Sequence, residues 1–430
     1  MRVLVIGSGG REHAIVRSLA ASPRVDAIFA IPGNGGTASE RVTTNVALDI
    51  DNVSALLAFV AEQSIDLAVI GPEVPLCTGV ADQLRSAGIP TVGPGKDGAA
   101  IEGSKSFAKN LMARANIPTA ASKTFSDRES ALAYLQARVA PIVVKADGLA
   151  AGKGVTVATD MQMAIDAVEE CFSGRFGGAG SRVVIEDFLE GPEVSLLAFV
   201  DGLTVLPMSP AQDHKRVGDG DTGPNTGGMG VYSPVPSINA HDYSEMVEVM
   251  EMTARAIHGD GIDYRGILYG GFVLTAEGPK VLEYNARFGD PETQVLLPRL
   301  ESDLAEVLLG LATGELDSLG MLSWSRNVAV SVVIASGGYP GDYEAGKVIT
   351  GIADAEAVPG VFVYHAGTRL SQNGDVVTAG GRVLDVTAIG PDFATAIGLA
   401  YQAARKIGFE GAFFRNDIAQ RALSVRHNGA

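Results

Sequence analysis

Cysteine is scarce in this chain. Its 430 residues include two, Cys77 and Cys171, with no Cys-x-x-Cys pair. That excludes a disulfide framework and a thiolate metal site, and fits two ordinary thiols in a reducing compartment. Histidine is nearly as sparse: the six present form no HExxH or HxxxH pair, so zinc has no obvious home. Basic residues are outnumbered, 33 Lys and Arg against 50 Asp and Glu, for a net charge of −17. A chain so acidic repels nucleic acid, although small anions can still bind where Lys, Arg or backbone N–H groups gather. No uninterrupted apolar run approaches the ~20 residues of a membrane span. Residues 1–6 read at once as a strand, with no basic region or cleavage site before them. The expectation is a soluble, cytoplasmic protein without a signal peptide.

What the chain does have is glycine, 53 residues in short clusters between apolar runs. They are not periodic, so a collagen-like fold is out, and they suit loops that approach ligands. Residues 1–100 alternate apolar runs (3–6, 27–31, 67–70, 91–92) with helical stretches (13–21, 53–63, 80–87), the pattern of a doubly wound parallel sheet. Ligands of such sheets bind at the strand C-terminal ends, here 7–11, 32–37 and 71–74. A helix is expected over 104–115. Strands are expected over 142–145, 155–158, 182–186, 196–200, 267–274 and 280–284, with a helix over 163–171. Residues 212–233 read as a long polar loop. From about 324 onward, strands at 328–334, 361–365, 376–378 and 382–388 and a helix over 393–407 suggest a smaller β-rich unit.

Two glycine loops carry chemistry. Gly7-Ser-Gly-Gly-Arg-Glu12 leaves a strand and opens a helix, whose free N–H groups suit a phosphate. The third glycine of a dinucleotide loop is replaced by Glu12, and the second strand ends at Ile31-Pro32-Gly33-Asn34 without the acidic residue that reads a ribose. Nicotinamide dinucleotides are therefore disfavoured; a single phosphate with a ribose fits better, with Arg11 as counter-charge. The second loop runs from Lys145 to Gly154. It is not a Walker A loop, because Gly152-Lys153 is followed by Gly154 and then by a strand. It reads as the tip of an antiparallel flap over a nucleotide, with Lys145 as a point charge for phosphate.

The most specific local pattern is Val281-Leu-Glu-Tyr-Asn-Ala-Arg287. On a strand, Glu283, Asn285 and Arg287 project to one face. A carboxylate and an amide oxygen are hard ligands that suit Mg²⁺ completed by phosphate oxygens and water, and Arg287 can neutralise charge on a transferring phosphoryl group. Beyond it, Asp290 is assigned to function, while Glu292 either reads a substrate ammonium or caps the following helix.

These residues resemble the ATP-grasp superfamily and, within it, the phosphoribosylamine–glycine ligase family along nearly the whole chain. The match runs through Gly7 to His13, Pro32 to Asn34, Gly71 to Glu73, Glu102 to Lys105, Lys145 to Gly154, Gln212 to Val217, Thr222 to Gly230 and Arg287 to Glu292. The resemblance implies an N-terminal α/β domain (1–101), a central ATP-grasp domain (102–324) with a mobile lid at about 121–190, and a C-terminal domain (325–430). It implies that Lys105 and Lys145 hold ATP phosphates beneath a flap bearing Gly152, Lys153 and Gly154. Glu186 and the backbone at Phe188 and Leu189 would contact adenine, and Glu193 the ribose. Glu283 and Asn285 would hold Mg²⁺ or Mn²⁺. Gly10, Arg11 and Asn34 would meet 5-phosphoribosylamine, and Asp213, Arg287 and Asp290 would meet glycine. The implied catalytic set is Arg287, Lys145, Asp290 and Asp213. The implied chemistry is phosphoryl transfer by positioning and charge, with no protein nucleophile, and with the flap and 212–233 closing over a labile acyl phosphate. The implied partners are small molecules, not nucleic acid or membrane, with monomer and homodimer both open. Another ATP-grasp enzyme, such as a carboxylase subunit, and a non-catalytic nucleotide sensor are the rival readings.

Overall fold

The structure, a computed structural model, describes residues 1–150 and 154–424. The first sheet is parallel throughout, in the order Thr43–Asn45, Ala27–Pro32, Arg2–Gly7, Leu67–Ile70, Thr91–Val92. Its central strand is a continuous apolar run because both faces are covered: Leu4 and Ile6 pack to one side, Val3 and Val5 to the other. The strand order reverses beside Arg2–Gly7, so the loops after that strand and after Leu67–Ile70 open into one crevice.

Glu12 explains why that loop lacks a third glycine. Its Oε2 accepts the Gly9 N–H at 2.6 Å, the glutamate half of a capping box at the start of the helix Gly10–Ala21. The glycines around it make room for its carboxylate. A Cβ on Gly71 would lie 1.9 Å from Glu12 Oε1, and one on Gly7, where φ is +130°, would lie 2.5 Å from Glu12 Cγ.

A second, antiparallel sheet has the order Ser122–Phe125, Val183–Asp187, Ile142–Ala146, Val155–Ala158. With the helices Arg128–Leu135 and Met161–Phe172 it encloses a small core of its own, including Phe125, Leu135, Val144, Val168 and Ile185. A core not shared with its neighbours lets such a unit shift as one body. The flap hairpin is formed by Ile142–Ala146 and Val155–Ala158; Gly152 and Lys153 lie outside the described residues.

The central sheet, Thr204–Pro207, Glu193–Asp201, Arg265–Thr275, Gly278–Asn285, is antiparallel. The 20-residue helix Ala240–Gly259 packs on it through Met246, Val249, Met250, Thr253, Ala254 and Ile257, spaced as one helical face requires. Asn239 caps it by accepting the N–H groups of His241 and Asp242. The Thr253 hydroxyl lies 2.6 Å from that of Tyr284. That contact anchors the buried residue between Glu283 and Asn285 and so turns both of those outward.

The last sheet corrects an expectation. Its order is Gln212–Asp213, Gly230–Ser233, Val328–Ala335, Arg382–Gly390, Val361–His365. Residues 212–233 are therefore not a free closing loop. Their two ends extend the C-terminal sheet, and the hairpin of Arg216–Gly218 and Thr222–Asn225 between them is tied down. Gly220 N donates to Asp417 Oδ2 at 2.8 Å, and Asp221 pairs with Arg415 at 3.0 Å and Arg421 at 2.6 Å. Among the described residues no helix is long and apolar enough to cross a membrane.

Candidate active site

The strand Gly278–Asn285 organises the site. It pairs with Arg265–Thr275, and the register shifts next to Glu283. Tyr284 and Ala286 are buried, whereas Glu283, Asn285 and Arg287 are half-buried on the opposite face, as strand alternation requires. Lys145, at the end of its own strand, donates from Nζ to the Leu282 carbonyl at 3.0 Å. The flap strand and the metal-type edge thus meet directly.

Four cations surround Glu283. Burial pushes its carboxyl up, but Lys215, Lys145, Lys105 and Arg287 together outweigh that and hold it below its usual range. It remains an ionised oxygen ligand at neutral pH, which together with the Asn285 amide suits a hard divalent cation. No group of three or more His, Cys, Asp or Glu among the described residues could hold a metal alone. A two-ligand edge is what Mg²⁺ shared with phosphate oxygens needs. Burial pulls the Lys105 ammonium down, opposed by Glu283, and its Nζ donates to Gly148 O at 3.2 Å at the foot of the flap.

Glu186 sits beneath the lid, 2% exposed. Its Oε2 lies 3.2 Å from Lys109 Nζ and its Oε1 3.1 Å from Lys145 Nζ. The second contact is an ion pair without hydrogen-bond alignment. Lys109, which had no local sequence signal, also donates to Thr119 Oγ1 at 2.8 Å, and burial pushes its ammonium down to about 8. The Glu186 side chain is thus occupied in holding two lysines. Phe188 is 42% exposed at the lid edge, Leu189 is half-buried, and Glu193 pairs with Lys215 at 2.5 Å.

The loop after the strand gathers the remaining candidates. The Arg287 guanidinium is held by Glu102 at 2.9 Å and Glu73 at 3.3 Å, and both Arg287 and Arg11 donate to Phe288 O, at 3.2 and 3.1 Å. Arg11 also donates to Glu12 at 2.5 Å. These contacts fasten the N-terminal loop to the central sheet. Glu73 and Glu102 were visible only as members of matching motifs. Asp290 accepts from Gln294 Nε2 at 2.9 Å and pairs with Arg382 at 3.3 Å. Burial pushes its carboxyl up, but Arg382, Arg11 and Arg287 hold it low. Asp213 goes the other way: burial, with Glu292 and Glu193 nearby, pushes it up to about 7 against the pull of Lys215.

Two further residues make tertiary contacts. Glu292 makes no side-chain cap on the helix Thr293–Leu296. Its Oε1 instead accepts from Ser195 Oγ at 2.9 Å and Tyr269 OH at 3.1 Å, a tertiary use that outcompetes the local one. Asn34 ties its loop to its neighbours, donating to His365 O at 2.6 Å and Ser8 O at 3.0 Å and accepting from Gly36 N at 2.9 Å. Gly10 lies where the N-terminal loop meets the C-terminal sheet, and Gly154 closes the far side of the flap by accepting from Ala146 N at 2.8 Å. A separate cavity of about 570 Å³, lined by Met208, Tyr243 and Trp324 among others, is apolar and offers no cation to a phosphate.

Comparison with known proteins gives the lineage. The N, ATP-grasp (A) and C domains of phosphoribosylglycinamide synthetase match residues 1–102, 103–293 and 329–421. The phosphoribosylamine–glycine ligase of Nostoc sp. is 50% identical over 427 residues, 99% of this chain and 100% of that protein. That of Vibrio cholerae is 51% identical over 428 residues, 99% of each. The crystal structure of phosphoribosylamine–glycine ligase from Thermotoga maritima superposes with a TM-score of 0.85 at 33% identity, covering 97% of this chain and 100% of that one. A biotin carboxylase from Campylobacter jejuni shares the fold alone, with a TM-score of 0.73 at 14% identity over 96% and 92% of the two chains. The parallel N-terminal sheet, the central lidded ATP-grasp fold and the small C-terminal sheet are the architecture of that lineage, and the chain belongs to the phosphoribosylamine–glycine ligase family of ATP-grasp enzymes.

Proposed function

We propose that the chain joins glycine to 5-phosphoribosylamine, giving glycinamide ribonucleotide while ATP is cleaved to ADP and phosphate in purine synthesis. The observation that carries this reading is the meeting of Lys145 with the strand that bears Glu283 and Asn285, among cations that keep Glu283 ionised. Lys105, Lys145 and the flap, including Gly152, Lys153 and Gly154, hold the phosphates. The lid edge at Glu186, Phe188 and Leu189 takes the base, and Glu193 the ribose. Glu283 and Asn285 hold Mg²⁺ or Mn²⁺, either of which accepts hard oxygen ligands; the ion supplies charge neutralisation on the phosphates.

Glycine's carboxylate attacks the γ-phosphate in line, forming glycyl phosphate and releasing ADP. The amine of phosphoribosylamine then attacks the acyl carbon, forming the C–N bond as phosphate leaves and the nitrogen sheds a proton. Arg287, fixed by Glu73 and Glu102, Asp290 and Asp213 orient glycine. Gly10, Arg11 and the loop shaped by Asn34 face phosphoribosylamine. All of these residues come from one chain, so a monomer or homodimer suffices. The reading is of a cytoplasmic enzyme acting on small soluble molecules, with neither nucleic acid nor membrane as a partner.

The test is an ADP-release assay with glycine and freshly generated phosphoribosylamine omitted in turn. ADP release that requires both substrates is expected. Nucleotide binding without turnover would favour a sensor, and turnover with bicarbonate in their place would favour a carboxylase.

A further inference from the structure

One buried acid has no role in the chemistry above. Asp385 lies on the strand Arg382–Gly390, opposite Tyr364, and is 1% exposed. Neither of its carboxyl oxygens has a well-aligned hydrogen-bond donor among the described residues, the Gln294 amide beside it easing its charge only in part, and Gln294 Oε1 is likewise without a partner. Both side chains reach the start of the helix Gly10–Ala21. A Cβ on Gly10 would lie 2.4 Å from Asp385 Oδ2 and 2.6 Å from Gln294 Nε2, and one on Gly9 would lie 3.2 Å from Asp290 Oδ2. Gln294 also bonds Asp290, and Arg382, three residues before Asp385, pairs with Asp290. Asp290, Gln294 and Asp385 therefore form one group where the N-terminal loop, the central domain and the C-terminal sheet meet.

Buried acceptors are normally paired, and a carboxyl without donors is the most costly kind to leave unpaired. Arg382 is directed at Asp290 and Gly227, so it does not answer the need of Asp385. What would answer it is a group rich in N–H donors arriving beside Gly9 and Gly10. The charged groups around Asp385 agree: burial first, then the neighbouring Asp290, push its carboxyl up to about 7, with Arg382 opposing. A cation entering there would be welcome.

We propose that Asp385 is a positioning residue of the substrate site, completing with Asp290 and Gln294 a cluster of acceptor oxygens for the primary amine of a substrate. This rests on the proposed ligase reading. Both glycine and phosphoribosylamine carry such an amine, and the test separates them.

The variant is Asp385→Asn, which keeps the shape but replaces one acceptor with a donor. ATP, glycine and phosphoribosylamine are varied in turn, and the thermal midpoint is recorded. Losing a charged hydrogen-bond partner is expected to raise the KM of one amine substrate about tenfold or more, with the KM for ATP and the folded structure retained. A rise confined to glycine assigns its ammonium, and one confined to phosphoribosylamine assigns its amino group. Both amine KM values within twofold of wild type would overturn the proposal. So would a parallel loss across all three substrates with a lowered thermal midpoint, which marks a structural role. Failure of the ligase reading would show separately, as wild-type protein without ADP release dependent on both substrates.

Discussion

Glu283→Gln is expected to lower turnover by about 10²-fold or more while leaving the fold intact. The substitution keeps the volume and one oxygen, and Tyr284 stays anchored to Thr253. What it removes is the charge of the carboxylate at the metal edge, which Lys215, Lys145, Lys105 and Arg287 hold ionised. A neutral amide pair at 283 and 285 binds a divalent cation far less well, and the surrounding cations then repel it. The deficit should shrink as Mg²⁺ is raised, because weakened metal binding is recovered by mass action. The check is the rate of ADP release over a magnesium titration, with circular dichroism to establish folding. A variant within threefold of wild type at low magnesium would remove Glu283 from the metal site.

Asp385→Asn is expected to stabilise the substrate-free protein, increasingly so as the pH rises. The carboxyl's pKa is raised in the folded state, because burial and Asp290 disfavour its charge. Below the unfolded pKa of about 3.9 both states are protonated and no penalty exists. As pH rises toward 7 the unfolded chain loses the proton and the folded one keeps it, so stability falls. Above the folded pKa the full penalty applies, on the order of 2–4 kcal/mol. Asparagine does not titrate and escapes it. Urea denaturation of both proteins at pH 5 and pH 8 measures the difference, which should be larger at pH 8. A difference that does not change with pH, or an asparagine variant less stable at pH 8, would contradict this. Greater stability with poorer amine binding is the trade expected of a group kept buried for function.

Much of the fold was legible because its signals are local. Apolar runs bounded by glycine and proline gave the N-terminal strands, and alternation gave the face that carries Glu283 and Asn285. The strands within 212–233 were not legible: their partner, Val328–Ala335, lies about a hundred residues further on, and a Gly, Asp and Thr-rich composition gives no strand alternation. The helix Ala240–Gly259 carried its spacing in Met246, Val249, Met250 and Thr253, yet it is absent from the sequence reading. Glu292 shows how tertiary structure overrides a local rule, since a cap and a buried acceptor for Ser195 and Tyr269 look identical in sequence. Lys109 and Asp385 gain meaning only from residues brought to them across the chain, Glu186 for one and Gly10 with Gln294 for the other.

The most direct measurement is isotope transfer from glycine labelled with ¹⁸O in its carboxylate, run with ATP, Mg²⁺ and phosphoribosylamine. Passage through glycyl phosphate moves one labelled oxygen into each inorganic phosphate released, and that is the expected result. Phosphate formed without label, while glycinamide ribonucleotide accumulates, would contradict it.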